Sequence, residues 1–177
     1  ADIRGPLKAL IARAEPYGFA VEIFCSAASL AGVEDVIATS PVPIILDHFG
    51  GITVADNGAV VGLEQVAKLL SLPHVWVKLS APYRVATEGA ASPAIPAIIR
   101  YLIDIRPDRL VWASDWPHTG GGADRSRRGP GVIEPFREID DVADASSFIS
   151  WLQSPQTVRQ ILVDNPAELF GFSPAAP

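Results

Sequence analysis

Apolar residues recur along this chain in two rhythms that alternate. Leu7, Leu10, Ile11 and Ala14 follow the i, i+3, i+4, i+7 spacing of one helix face, and Gly18 closes the segment. Phe19 to Cys25 then reads as a buried strand rich in β-forming residues. Leu30 to Thr39 predicts a short helix. Pro41 to His48 predicts a second strand, apolar until Asp47 and His48 at its end. Val60, Leu63, Val66, Ala67 and Leu70 predict one face of a helix that Pro73 breaks. His74 to Ser80 is a third strand, with Ala81-Pro-Tyr-Arg84 as its exit loop. Ser92-Pro93 opens a helix that buries Ile95, Ile98, Ile99 and Leu102. Leu110 to Ser114 is a fourth strand, stopped by Asp115 and by Pro117, which cannot donate to a sheet ladder. Asp144 to Gln153 and Pro155 to Val163 predict two helices, and Asp164 to Gly171 a short terminal one.

Strand and helix therefore alternate four times. That order predicts a parallel sheet with right-handed crossovers. The strands are apolar on both faces, as in a sheet covered by helices. Two α/β architectures fit: a small doubly wound sheet, or half of a (β/α)8 TIM-type barrel, which typically needs about 250 residues. The polar residues favour the barrel. His48, Ser80, Arg84 and Asp115 all fall at strand exits, and a barrel gathers those exits onto one mouth. Residues two apart on a strand share a face. If Asp115 points inward, Val111 and Ala113 do too; if His48 points inward, so do Ile44 and Leu46. An isolated half-barrel would leave two edge strands unpaired and its inner face wet.

Composition narrows the class. The 177 residues suit a single domain, 1–177, with its own core, and 49% of them are hydrophobic, which excludes a disordered chain. The net charge of −6 argues against nucleic acid or an anionic membrane surface as partner. Cys25 is the only cysteine, so there is neither a disulfide framework nor a cysteine-based zinc site, and a reducing, cytoplasmic setting fits. The chain has no Met, not even at position 1, and reads as part of a longer polypeptide. No Gly-rich phosphate-binding motif follows any strand. Residues 119–135 hold Gly, Arg and Pro without a period and predict a loop of the lid or binding type.

Asp115 is the leading candidate for chemistry. A carboxylate at the C-terminal end of a buried strand faces solvent or a ligand. An aspartate, with a reference pKa near ~3.9, can take a proton from water or bind a metal. His48, beside Gly50 and Gly51, can polarise a carbonyl oxygen or ligate a metal. His118 adds a second titratable group to the Asp115 loop. Tyr83 and Arg84 can grip a carboxylate through a hydroxyl and a guanidinium fork. The remaining polar residues have plainer readings. His74 opens a strand at its N-terminal end and is structural. Lys78 and Glu22 lie mid-strand and pair with each other. Cys25 is a small buried apolar residue, and Arg125, Arg127 and Arg128 form a solvated loop face.

Four stretches together resemble one family. They are Val42 to His48, Val75 to Arg84, Arg109 to His118 and Leu162 to Phe172, in order and at fitting spacing. The chain resembles the amidohydrolase superfamily, in particular its lactonase-like branch, which contains the pyrone-dicarboxylate lactonases. Members are (β/α)8 barrels, and the resemblance implies that these motifs belong to strands five to eight, the C-terminal half. It implies a water-activating role for Asp115 and an anion-binding role for Arg84. The family's His-x-His signature belongs to the first strand and is missing here, since the only histidines are His48, His74 and His118. Gly51 stands where dicarboxylate lactonases often carry Arg, which weakens the case for the dicarboxylate pyrone itself.

The resemblance thus implies hydrolysis of a small carboxylated lactone by carboxylate-activated water. It predicts no metal or other cofactor in this chain, although zinc can enter the complete enzyme. A missing N-terminal half or a homo-oligomer would complete the fold. The alternatives are a lactone isomerase or zinc-dependent decarboxylase of the same superfamily, an inactive fragment, or an α/β binding module.

Overall fold

A computed structural model describes residues 3–120, 129 and 131–172. In chain order the elements are α1 (Arg4–Ala14), β1 (Val21–Ile23), α2 (Ala27–Ala31), α3 (Glu34–Ala38), β2 (Ile44–Leu46), β3 (Thr53–Val54), β4 (Val60–Val61) and α4 (Leu63–Leu70). They continue with β5 (Val75–Ser80), α5 (Pro82–Val85), α6 (Ala94–Ile105), β6 (Leu110–Ala113), α7 (Asp141–Trp151), α8 (Pro155–Arg159) and α9 (Asn165–Phe170). A π-helical turn, Gln160–Asp164, joins the last two helices.

The main sheet has the order β1-β2-β5-β6, and every pairing in it is parallel. This is the arrangement expected from four sequential βα units. Along the strands the faces alternate. Val21, Ile44, Leu46, Val75, Val77, Leu79 and Leu110 join the large core with the helices. On the other face Glu22 is level with Ile45, Ile45 with Trp76, and Lys78 with Val111. Ile44 and Leu46 thus point to the helices, against the expectation that they share the direction of His48. Two-residue alternation stops after Asp47, because the chain leaves the sheet at His48 and turns left-handed.

The opposite face is not wet throughout. Ile45, Trp76 and Val111 are buried and pack with Ala20 and Leu169. The guanidinium of Arg109 stacks 4.6 Å from the centre of the Trp76 ring. The terminal helix thus shields that face near the strand starts, a contact that strand periodicity cannot show.

Several helix bounds differ from the sequence pattern. Residues 30–39 are not one helix: α2 and α3 are separate, with Gly32 and Val33 between them. Val60 belongs to an antiparallel hairpin, not to α4. Gly62 explains the break. Its φ is +87°, and a Cβ there would lie 2.2 Å from the Cβ of Ala27, so only glycine carries the chain through that turn. Leu10 is exposed, so α1 buries Leu7, Ile11 and Ala14 alone. Helix α7 starts earlier than its apolar period suggests, because Asp140 caps the backbone N–H groups of Val142 and Ala143. Arg125, Arg127 and Arg128 lie outside the described residues, as does most of the segment 119–135 around them.

Candidate active site at the strand exits

Three strand exits converge. Asp47 extends the ladder by donating its N–H to Ile23. His48 then takes φ +47°, and its Nδ1 lies 2.8 Å from the Ser80 hydroxyl at the end of β5. Ala81 follows with φ +53° and leads into α5, which carries Tyr83 and Arg84. Beyond β6, Asp115 and His118 have φ +69° and +56°. Left-handed backbone is costly for residues with a side chain, on the order of 1–3 kcal/mol, and tends to gather at functional sites. Here it gathers at all three exits.

The Asp115 carboxylate is held asymmetrically. Its Oδ2 accepts from the Tyr83 hydroxyl at 2.5 Å and from Arg84 Nε at 3.1 Å. Its Oδ1 faces His48 Nε2 across 3.5 Å. Burial alone would raise the carboxyl pKa; the Tyr83 hydroxyl, His48 and Arg84 outweigh it and hold Asp115 below the usual carboxylate range. The Tyr83 phenol is pushed far up, by burial first and then by its bond to Asp115, so it stays protonated and donating. Burial is also the largest influence on His48 and pulls it below the usual imidazole range, so its ring is neutral at pH 7. Its contacts with Asp115 and with Asp47 Oδ2, at 3.2 Å, are therefore those of a neutral ring rather than ion pairs. Its Nε2 faces two carboxylates, which only accept, so that nitrogen carries the hydrogen; Nδ1 is then the acceptor for the Ser80 hydroxyl, which also lies 3.4 Å from Asp47 Oδ1.

Each residue singled out by sequence has a definite place. Asp115, His48, Tyr83 and Arg84 meet in one cluster. Arg84 is tied inward by Asp115 and by the Thr119 carbonyl at 3.1 Å, yet it lines the pocket. His118 is buried beside Tyr83, with Nε2 2.9 Å from Asp141 Oδ1. His74 contacts the Ile37 carbonyl with its Nε2 at 2.8 Å, a structural contact away from the cluster. Lys78 and Glu22 do pair, at 2.6 Å. Cys25 is half-buried at the pocket wall, and burial pushes its thiol up.

Sequence reasoning missed Asp47, Asp141 and Arg137. Asp47 had a signal, as one of two polar residues closing an apolar strand. Asp141 and Arg137 had none, since they come from a segment without period. The pocket itself is open, about 530 Å³, and lined by Phe24, Cys25, Ser26, His48, Gly51, Ile52, Thr53, Tyr83, Arg84 and Arg137. Gly51 cannot be exchanged for a larger residue: its φ is +74°, and a Cβ would lie 2.1 Å from the Cys25 carbonyl oxygen. Cationic side chains reach this pocket from Arg84 and Arg137 instead.

A catalytic zinc takes three protein ligands. Among the described residues no group of three or more His, Cys, Asp and Glu is arranged to hold a metal. The Asp115 Oδ2 is already bonded to Arg84 and Tyr83. The residues present do not by themselves fit a zinc site.

Residues 2–172 match the amidohydrolase family, and the chain belongs to it. Over 144 residues it is 35% identical to a 4-sulfomuconolactone hydrolase of Rhizobium radiobacter, covering 81% of this chain and 44% of that protein. It is 25% identical to a 2-pyrone-4,6-dicarboxylate hydrolase of Comamonas testosteroni, covering 93% of this chain and 52% of that one. The chain thus spans about half the length of the curated relatives it matches. In fold it is similar to an amidohydrolase from Burkholderia multivorans solved with bound zinc, with a TM-score of 0.73 and 19% identity over 98% of this chain and 61% of that one. The four βα units are those of a TIM-type barrel.

Proposed function

We propose that the full-length protein hydrolyses a small anionic lactone by carboxylate-assisted attack of water. One observation carries this reading: Asp115 has one oxygen fully engaged and the other, Oδ1, turned toward His48. Oδ1 is the atom that takes a proton from water as the water oxygen bonds to the lactone carbonyl carbon. The neutral His48 donates Nε2–H to the carbonyl oxygen as charge develops on it. The ring C–O bond then breaks, and the leaving oxygen recovers the proton from Asp115. Arg84 and Arg137 line the pocket and supply positive charge for a carboxylate or sulfonate on the substrate. The hydrolases of sulfomuconolactone and pyrone dicarboxylate among its relatives act on lactones of this kind.

Completion of the barrel by further polypeptide, or by a second subunit, would close the mouth. A metal in the full-length protein would need ligands beyond this set, and the steps above need none. A cytoplasmic setting fits the single cysteine, and among the described residues no helix is long and apolar enough to cross a membrane. The test is turnover by the full-length protein on sulfonated and carboxylated muconolactones and 2-pyrones, with and without chelator. Ring opening that survives chelation is expected. Loss of activity with chelator and recovery with zinc would overturn the metal-free chemistry. No opening of any lactone would overturn the function.

A further inference from the structure

The Tyr83 hydroxyl has one proton and two acceptors. Asp115 Oδ2 is 2.5 Å away, and His118 Nδ1 is 3.3 Å away. The His118 ring is fixed from its far side: Nε2 lies 2.9 Å from the Asp141 carboxylate at the start of α7. A carboxylate only accepts, so Nε2 carries the hydrogen. In the neutral ring, Nδ1 is then left with a lone pair aimed at the phenol. The surroundings hold this geometry. His118 is buried, its backbone N–H bonds the Asp115 carbonyl at 2.7 Å, and its own carbonyl accepts from Arg137 N–H at 2.8 Å. The acids facing it are Asp141 and Asp144 of α7.

We propose that His118, oriented by Asp141, is a positioning residue that gives the Tyr83 hydroxyl a second acceptor once Asp115 has taken up its proton. The inference rests on Asp115 acting as the base. While Asp115 is ionised it is the better acceptor, and Tyr83 donates to it. That bond has a drawback for a base: it favours the ionised form and opposes proton uptake. When Oδ1 is protonated, Oδ2 becomes a weaker acceptor. The phenol then turns its hydrogen to His118 Nδ1, and no proton leaves Tyr83. Proton uptake at Asp115 therefore loses a weakened hydrogen bond and gains a fresh one. Without His118, the tyrosine keeps Asp115 as its one acceptor among the described residues and goes on opposing protonation.

Two measurements on the full-length protein test this. The first is 15N NMR of histidine-labelled protein. Nδ1 of His118 should be unprotonated in the wild type. Asp115→Asn, which presents an amide N–H where the protonated acid would present O–H, should shift the Nδ1 resonance as Tyr83 turns to it. Adding Tyr83→Phe should remove that shift. A proton on Nδ1, or a resonance that Asp115→Asn leaves unmoved in folded protein, overturns the proposal.

The second is a kinetic double-mutant cycle on the panel lactone that the wild type opens fastest. His118→Gln should lower kcat by up to about tenfold, the worth of one hydrogen bond, with little change in KM. In a Tyr83→Phe background His118→Gln should cost almost nothing more. Additive losses would show that His118 only holds the fold and would overturn the proposal. If the wild type opens no lactone, the proposed function falls, while the NMR result still decides the tyrosine's acceptor.

Discussion

The two ends of the sheet use similar residues for different ends. At the strand starts, polar side chains reach backbone carbonyls. His74 contacts Ile37 O, Arg109 donates to Pro73 O, and Asn165 donates to Pro107 O and Leu110 O at 2.7 and 2.6 Å. Each bond ties one chain segment to another. At the strand exits, His48, Ser80, Tyr83, Arg84 and Asp115 bond mainly to one another, on left-handed backbone beside an open pocket. These side chains are directed at backbone away from the pocket and are not placed to meet a ligand. The exit cluster is so placed, because His48, Tyr83 and Arg84 line the pocket and also contact Asp115. The same division, stability at one end and chemistry at the other, is general for barrels of this type.

The sharpest way to break this comparison is Asp115→Asn, which keeps shape and removes basicity. The kcat of the full-length enzyme should fall roughly 10²–10⁴-fold, with the unfolding midpoint little changed; near-full activity would remove Asp115 as the base. Arg84→Ala should act next most strongly. Because Arg84 both lines the pocket and holds Asp115, kcat/KM should fall about 10–100-fold, the worth of one charge-assisted hydrogen bond, with KM rising and kcat also falling. A change in KM alone would show that its bond to Asp115 is idle. Asn165→Ala, at the opposite end, should leave kcat unchanged and cost about 1–3 kcal/mol of stability, because a buried carbonyl, that of Leu110, and the part-buried one of Pro107 lose their donor. Denaturant unfolding measures the cost, and a drop in kcat for the folded variant would blur the division between the two ends.

Much of the frame was legible before any coordinates. Four apolar runs separated by helical spacing specify the parallel order, and a run that stops on Asp47-His48 or on Ser114-Asp115 marks an exit. Val60 was misread because a hairpin of two-residue strands leaves too little periodicity to separate it from the helix behind it. Asp141 and Arg137 were not legible because their role comes from where an aperiodic segment returns, near His118.

The sequence by itself determined which residue types stand at the ends of which strands, since burial of alternating apolar side chains is a local demand that the pattern carries. It also determined the pairing of Lys78 with Glu22, which meet across β2, because a charge placed mid-strand in an apolar run must find a partner. Only the tertiary structure decided which oxygen of Asp115 meets Tyr83 and Arg84 and which faces His48, that Tyr83 serves Asp115, and that Gly51 must be glycine. These depend on left-handed turns and on approaches of 2–4 Å between segments some thirty residues apart. Distances of that kind are set by how helices and strands pack, and no periodicity in the chain encodes them.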